Sequence, residues 1–186
     1  RIQEALEACG ISVKSQQSEL LARHAEMVRQ VNESMNLTRI TEPDAMVQLH
    51  IVDSLAFTRL IDIPRGRGID VGAGAGYPGI PLSILGHDVD LCESSKKKAD
   101  FLRTAADELG LSLTVWALRA EELAREAPAE ADWVVFRAVS ALPSLVELAS
   151  PLLRDAGQMI SLKGPLTTEE LEAGRAAARQ CGMTLI

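Results

Sequence analysis

The sequence predicts an α/β fold, with a mostly parallel β-sheet and a helical attachment at the N-terminus. Residues 1–66 place their apolar side chains at helical spacing, and no segment there has the pattern of a strand. From residue 67 to residue 186, short apolar runs alternate with amphipathic segments, which is typical of βαβ units in a parallel sheet. The chain has 186 residues, of which 47% are hydrophobic and 24% charged, so it is long enough for one domain with a buried core.

In the attachment, one apolar stripe predicts a long helix. Pro43 opens a second amphipathic segment, and Pro64-Arg65-Gly66 ends the helical region. The members of the stripe recur at spacings of three and four residues: Leu20, Leu21, His24, Met27, Val28, Val31 and Met35.

Five strands are predicted in the α/β region, at residues 68–72, 89–93, 113–117, 133–138 and 158–163. Helices are predicted between and after them, at residues 80–85, 96–109, 121–125, 145–153 and 167–181. The apolar end of the chain, residues 183–186, is interpreted as the start of a sixth strand, so we expect the natural protein to continue past Ile186. Because open parallel sheets bind ligands at the carboxyl ends of their strands, the residues after each strand are the functional candidates.

Composition and charge narrow the class of protein. The net charge of -7 disfavours indiscriminate coating of nucleic acid, although it leaves room for a local basic patch. No apolar run reaches membrane-spanning length and the N-terminus lacks the features of a signal peptide, so we expect a cytoplasmic protein. The cysteines, Cys9, Cys92 and Cys181, are too far apart to suggest a disulfide framework or a metal site, and we expect all three to be buried.

A glycine-rich loop, residues 70–79, follows the first strand. Glycines in a strand-to-helix turn allow positive φ and the close approach of a ligand. Gly74-x-Gly76-x-x-Gly79 matches the fingerprint of dinucleotide-binding loops, whereas Asp70-x-Gly72-x-Gly74-x-Gly76 matches a loop that binds S-adenosylmethionine. Counted from the end of the strand at Gly72, the third glycine of the dinucleotide pattern would fall at Tyr77. The Asp70 carboxylate suits the cationic S-adenosylmethionine and would repel a pyrophosphate, so the loop favours the methyl donor.

A carboxylate also ends the second predicted strand. Glu93 lies 21 positions after Gly72, where it can accept hydrogen bonds from both ribose hydroxyls of a nucleoside cofactor. S-adenosylmethionine and the nicotinamide dinucleotides both contain such a ribose. Glu93 therefore supports cofactor binding without choosing between them.

Several short motifs accompany the loop: Asn36-Leu37-Thr38, His50-x-x-Asp53-Ser54-Leu55, the continuation Pro78-Gly79-Ile80-Pro81-Leu82, Glu93-Ser94 with Lys97-Lys98 and Phe101-Leu102, Arg119-Ala120-Glu121, Arg137-Ala138 and Lys163-Gly164. With these motifs, which span residues 36–164, the chain resembles the bacterial small-subunit (16S) ribosomal RNA guanine-N7 methyltransferase family, also called RsmG or GidB. The resemblance is more specific than the loop alone, because methyltransferases in general lack the continuation and the two upstream motifs.

The resemblance implies a class I S-adenosylmethionine-dependent methyltransferase with a Rossmann-like sheet. Its substrate would be 16S ribosomal RNA or the small ribosomal subunit, and a membrane is not among the implied partners. The resemblance also implies that Gly72 and Tyr77 contact the methionine end of the cofactor and the loop wall, and that Ala120 with Glu121 contacts the adenine edge. Arg137 would lie where cofactor and target base meet, as the catalytic residue. The cofactor site implied in full comprises Asp70, Gly72, Gly74, Gly76, Tyr77, Glu93, Ala120, Glu121 and Arg137.

Two groups of basic residues are candidates for RNA binding. Lys96, Lys97 and Lys98 open a helix, where cations oppose the helix dipole, so a phosphate contact explains them better than solvation alone. Arg119, Arg137 and Lys163 each lie at or just after the carboxyl end of a predicted strand and should share one edge of the sheet, where they would form a basic rim. His50 and Asp53 are expected to pack or cap the attachment against the sheet rather than to act in catalysis.

Guanine N7 carries a lone pair and no proton, so its methylation needs no general base, and the sequence contains no catalytic triad. Two alternatives stay open on the residues alone. One is a nicotinamide-dependent oxidoreductase, and the other is a non-catalytic RNA-binding or ribosome-assembly factor. No pattern fixes the oligomeric state, and a monomer is the default expectation.

Overall fold

The computed structural model describes all residues of the chain, 1–186. Its centre is a five-stranded sheet in the order β3-β2-β1-β4-β5, and every neighbouring pair is parallel. The strand order reverses between β1 and β4, and in such sheets the carboxyl ends at the reversal open a crevice. The strands are β1 (Gly68–Val71), β2 (Val89–Cys92), β3 (Val115–Trp116), β4 (Ala131–Arg137) and β5 (Leu153–Leu162).

The structure confirms the five predicted strands and corrects some of their bounds. β5 begins at Leu153, which the sequence pattern places in the preceding helix, because Pro151 follows directly on the C-terminal end of that helix and stops it. β3 keeps only two of its five predicted residues. The strand predicted at residues 183–186 is wrong for these residues: the Met183 N–H donates to the Ala178 carbonyl, and the segment is not part of the sheet.

Residues 1–66 form helices and loops only. Within them, residues 43–59 form one irregular helix, which starts as α3 (Pro43–Met46), continues as a π-helix (Val47–Val52) and α4 (Asp53–Ala56), and ends as a 3-10 turn (Phe57–Arg59). The remaining helices are α1 (Ile2–Ala8), α2 (Ser15–Met35), α5 (Gly79–Ile84), α6 (Lys96–Leu109), α7 (Ala120–Glu126), α8 (Leu142–Ala149) and α9 (Thr168–Gln180).

The sheet is covered on both faces. Trp133 and Val135 point to the face that carries α1, α2, the irregular helix, α5 and α6, whereas Val134 and Phe136 point to the face of α7 and α8, as the alternation of side chains along a strand requires. The first of these two cores includes residues from both sides of the predicted boundary at residue 66. The N-terminal helices are therefore built into the same packing as the sheet.

The burial of the cysteines differs from the expectation for two of the three. Cys92 is buried as expected, but Cys9 is exposed and Cys181 is half-buried, so the expectation was wrong for these two. No helix in the chain has the length and hydropathy needed to cross a bilayer.

Candidate active site

The glycine-rich loop leaves the sheet at Val71, in the centre of its carboxyl edge, and leads into α5. Gly72, Gly74 and Gly76 all have positive φ, between +57° and +93°, a backbone conformation that residues with a side chain rarely adopt. A Cβ on Gly72 would lie 2.7 Å from Cγ2 of Val139. The loop after β4 therefore packs directly on the backbone of the glycine loop.

Asp70 lies inside β1, beneath this loop. It is buried, its Oδ2 accepts a hydrogen bond from the Gly79 N–H at 2.8 Å, and its Oδ1 has no partner. Burial raises the pKa of this carboxyl to about 7, against the opposing effects of the Gly79 hydrogen bond and of the charge on Arg137. One carboxyl oxygen therefore remains as a buried acceptor that a donor group of a ligand, or a water, can satisfy.

Glu93 follows β2 and connects the glycine loop to α6. Its Oε2 accepts from the Gly74 N–H at 2.9 Å, and its Oε1 accepts from the Ser95 N–H at 2.8 Å. An ionised carboxylate has about four lone-pair sites, so each oxygen retains one for another donor. Glu93 is buried at the foot of the loop, in a place where it can both hold the loop and accept hydroxyl groups.

The first residues of α7, Ala120 and Glu121, follow β3 on the same edge of the sheet. Ala120 is buried and Glu121 is exposed. Their backbone N–H groups lie in the first turn of the helix, where no carbonyl of the helix itself can accept from them. Arg119, just before them, keeps its backbone N–H on Glu122 Oε2 at 2.8 Å while its side chain is exposed and unpaired.

The side chain of Tyr77, a residue of the glycine-rich loop, lies between two histidines of the N-terminal helices. Its ring stacks on His50 with centroids 4.7 Å apart and contacts His24 at 4.6 Å. His24 Nε2 is 2.9 Å from the Ala75 carbonyl, to which it donates, and His50 Nε2 is 2.8 Å from Thr38 Oγ1. The Tyr77 side chain therefore points into the helical packing and not into an open cleft.

Both histidines are held in the neutral form. Burial is the largest effect and lowers the pKa of His24 and of His50 to about 4 each. The charge of Arg137 adds to the effect at His50. From the sequence, His24 could be identified only as a member of the apolar stripe. The participation of Thr38 and His50 in this cluster was indicated only by the two upstream motifs that contain them.

Arg137, the last residue of β4, is held by the irregular helix. Its Nη1 donates to Ser54 Oγ at 3.2 Å, its Nη2 donates to the Leu49 carbonyl, and Nη2 also lies 3.0 Å from Asp53 Oδ2. In an α-helix the Asp53 N–H would donate to the Leu49 carbonyl, but here it donates to the carbonyls of Gln48 and His50. The π-helical turn therefore leaves the Leu49 carbonyl available to Arg137.

This arrangement explains the His50-x-x-Asp53-Ser54 motif. His50 does pack the attachment against the loop, as expected. Asp53, however, is an ion-pair partner of Arg137 rather than only a cap, and Ser54 completes the anchor. The sequence pattern could not predict this contact, because Ser54 and Arg137 are 83 residues apart in the chain.

A cleft of about 730 Å³ opens beside Arg137, at the carboxyl ends of β4 and β5. The irregular helix forms one wall, and the loops after β4 and β5 form the other. The residues that line it are Asp53, Ala56, Phe57, Leu60, Phe136, Arg137, Ala138, Val139, Ser140, Leu145, Ser161, Leu162, Lys163 and Gly164. The cleft adjoins the glycine loop through Val139.

Some of the basic side chains predicted to bind RNA already have partners within the protein. Lys163 donates to the Ser140 carbonyl at 2.8 Å and lies 2.9 Å from Glu170 Oε1, so it joins the loops after β4 and β5. Arg137 is similarly engaged. Arg119 and Lys96 to Lys98 form no ion pair, and of these four residues only Lys98 is partly buried. Of the residues predicted to bind RNA, these four have side chains that remain available to an external anion.

Comparison with known proteins agrees with this arrangement. The model of a family described as rRNA small subunit methyltransferase G matches residues 17–185. The chain is 44% identical over 174 residues to a protein of that name from Deinococcus radiodurans, which covers 90% of this chain and 69% of the relative. It is 38% identical over 181 residues to one from Carboxydothermus hydrogenoformans, covering 95% and 77% of the two chains.

Among solved structures, a SAM-dependent O-methyltransferase from Thermotoga maritima aligns with a TM-score of 0.51 and 17% identity, covering 82% of this chain and 55% of that one. The fold is thus that of the class I methyltransferases, as the sequence predicted. Within that class, the chain belongs to the rRNA small subunit methyltransferase G family. The resemblance read from the short motifs is confirmed, and the oxidoreductase alternative has no support.

Proposed function

We propose that this chain transfers a methyl group from S-adenosylmethionine to N7 of a guanine in 16S ribosomal RNA, in the cytoplasm. The observation that carries the proposal is the adjacency of two features in a member of this family. A glycine loop suited to the cofactor and a cleft containing an anchored arginine meet at one edge of the sheet, in contact through Val139. Such adjacency is what direct transfer between two bound molecules requires.

The residues of the loop edge fit S-adenosylmethionine. When bound, it supplies a methyl group on a cationic sulfur. The Glu93 carboxylate would accept the ribose hydroxyls, the unpartnered Asp70 Oδ1 would accept from the ammonium, and the N–H groups of Ala120 and Glu121 would donate to the adenine. At the half-buried Gly74, a Cβ would meet only the Gly72 carbonyl at 3.8 Å, so the backbone there is open to close approach by a ligand.

The chemistry requires positioning rather than proton transfer. The N7 lone pair forms a bond to the methyl carbon while the bond from carbon to sulfur breaks and its electron pair stays on sulfur. The positive charge moves from sulfur to the purine, and no proton is gained or lost. Arg137 holds the base by donating to its O6, which neighbours N7, and the bonds to Ser54 and Leu49 keep the guanidinium in place.

The target base must reach a cleft at the sheet edge, so an RNA nucleotide has to leave its stack. The exposed cations Lys96, Lys97 and Arg119 offer contacts to the phosphates of the flanking nucleotides. We assign Lys163 a structural role in joining two loops, with any RNA contact secondary to its pairing with Glu170.

The experiment that tests the proposal has two steps. Calorimetric titration with S-adenosylmethionine and, separately, with NAD should give binding of the first alone. Incubation with small-subunit RNA and methyl-labelled S-adenosylmethionine should then transfer label to the RNA. Cofactor binding without transfer to naked RNA or to assembled subunits would leave a non-catalytic assembly factor, and binding of NAD alone would overturn the proposal.

A further inference from the structure

The cleft beside Arg137 is also lined by a carboxylate, that of Asp53, which has one oxygen free. Asp53 lines the cleft, its Oδ2 lies 3.0 Å from Arg137 Nη2, and 60% of its side chain is exposed. Its Oδ1 has no protein partner. A carboxylate that is ion-paired on one side and open on the other can accept hydrogen bonds from a ligand in the same cleft.

Arg137 likewise has donors to spare. Its two hydrogen bonds, to Ser54 and Leu49, use two of the five N–H groups of a guanidinium. The ion pair therefore presents a donor next to an acceptor, held at fixed spacing by the irregular helix. A pair of this kind reads an edge that has an acceptor beside a donor.

We propose that Asp53 and Arg137 together select guanine as the target base, with Asp53 as a specificity-determining residue; this rests on the proposed function. Guanine has the acceptor O6 beside the donors N1–H and N2–H. Arg137 donates to O6, and the Asp53 carboxylate accepts from N1–H and N2–H. Adenine has the donor N6–H beside the acceptor N1, the opposite order, so it would leave both charged groups unpaired.

The order of groups along guanine fixes how the base would lie on the pair. The cleft that contains Arg137 and Asp53 meets the glycine loop at Val139, two residues after Arg137. Along guanine, N7 comes first, then O6, then N1 and N2. With O6 on Arg137 and N1 on Asp53, N7 lies on the side of Arg137 away from Asp53, and the proposal requires the methyl donor to be held on that side.

Charge development also calls for an anion. Methylation at N7 makes the purine positive, and a lone arginine on O6 would oppose that charge. The Asp53 carboxylate offsets the guanidinium and interacts favourably with the cationic base. Asp53 therefore serves both recognition and the charge of the transition state.

The test uses an RNA fragment assembled with either guanosine or inosine at the mapped methylation site. Inosine keeps N7, O6 and N1–H but lacks the N2 amino group. In single-turnover transfer, the wild-type protein should favour guanosine by about tenfold or more, as expected for loss of one hydrogen bond to a charged group. Asp53→Ala should be slower on both RNAs and lose the preference, while Asp44→Ala, an exposed aspartate at the start of the same helix, should keep it.

Several outcomes would overturn the proposal. A wild-type ratio near one would do so directly, as would an Asp53→Ala variant that is slower on both RNAs but keeps the full preference, since Asp53 would then act only by positioning Arg137. If a variant does not turn over, equilibrium binding of the two RNAs with S-adenosylhomocysteine present gives the same ratio. Failure of the wild-type protein to bind S-adenosylmethionine or to methylate guanosine RNA would instead refute the proposed function itself.

Discussion

Replacement of His24 by glutamine should make the stability of the protein less sensitive to acid. The His24 side chain is fully buried and donates one hydrogen bond, from Nε2 to the Ala75 carbonyl. Glutamine can place an amide N–H at a similar distance from its backbone, so His24→Gln removes the titrating group while keeping the donor. At pH 7 and above, where the histidine is neutral in both states, the two proteins should differ little.

The magnitude follows from the pKa of His24, which burial lowers from 6.5 to about 4. Between these pH values the unfolded chain binds a proton that the folded protein does not, so stability is lost as the pH falls through this window. At about 1.4 kcal/mol per pH unit, the full loss from His24 is about 3 kcal/mol. His50 contributes in the same direction, because its pKa is also lowered to about 4.

Asp70 supplies a control of opposite sign. Burial raises its pKa from 3.8 to about 7, so the folded protein binds the extra proton and loses stability as the pH rises through that window. Urea unfolding, followed by circular dichroism from pH 4.5 to 7.5, measures the slopes. His24→Gln should flatten the rise of stability with pH, and Asp70→Asn should steepen it. A His24→Gln slope equal to that of the wild-type protein would refute the argument that His24 is held neutral.

Three further predictions concern the site. Arg137→Ala should lower kcat/KM for methyl transfer by about 100-fold or more while leaving the fold intact by circular dichroism; wild-type turnover in this variant would exclude the role assigned to it. Glu93→Ala should weaken calorimetrically measured cofactor binding by about tenfold or more, and an unchanged Kd would remove Glu93 from the site. Lys97→Ala should weaken RNA binding and lower the slope of log affinity against log salt concentration by about one, because one phosphate is no longer neutralised, whereas an unaltered salt slope would show that the side chain touches no phosphate.

The parts of the fold and site that were predictable are those determined by neighbouring residues. The glycine loop, Glu93 and Arg137 could be located because each follows an apolar run that forms a strand, and parallel strands bring their carboxyl ends to one edge. The predicted bounds of a helix agreed with the observed ones where the sequence contains a capping residue. An example is Lys96–Leu109, where Gly110 adopts a left-handed conformation at the C-terminal end.

The parts that could not be predicted depend on packing between distant segments. The start of β5 at Leu153 depends on pairing with Ala131 across an irregular register. The partnership of Asp53 with Arg137 depends on a π-helical turn that no residue pattern announces. Lys163 illustrates the same limit: its position at the end of β5 was predictable, but its partner Glu170 belongs to a helix whose placement the sequence does not reveal.

Transfer to guanine N7 is tested most directly by mapping the methyl group that the protein adds to small-subunit ribosomal RNA. N7-methylguanosine carries a positive charge that makes its glycosidic bond labile after reduction, so the strand can be cleaved there with aniline and the break located by primer extension. We expect one new break, at a single guanosine, that depends on both S-adenosylmethionine and the protein. Methyl label in the RNA without any such break would place the modification on another atom and contradict transfer to N7.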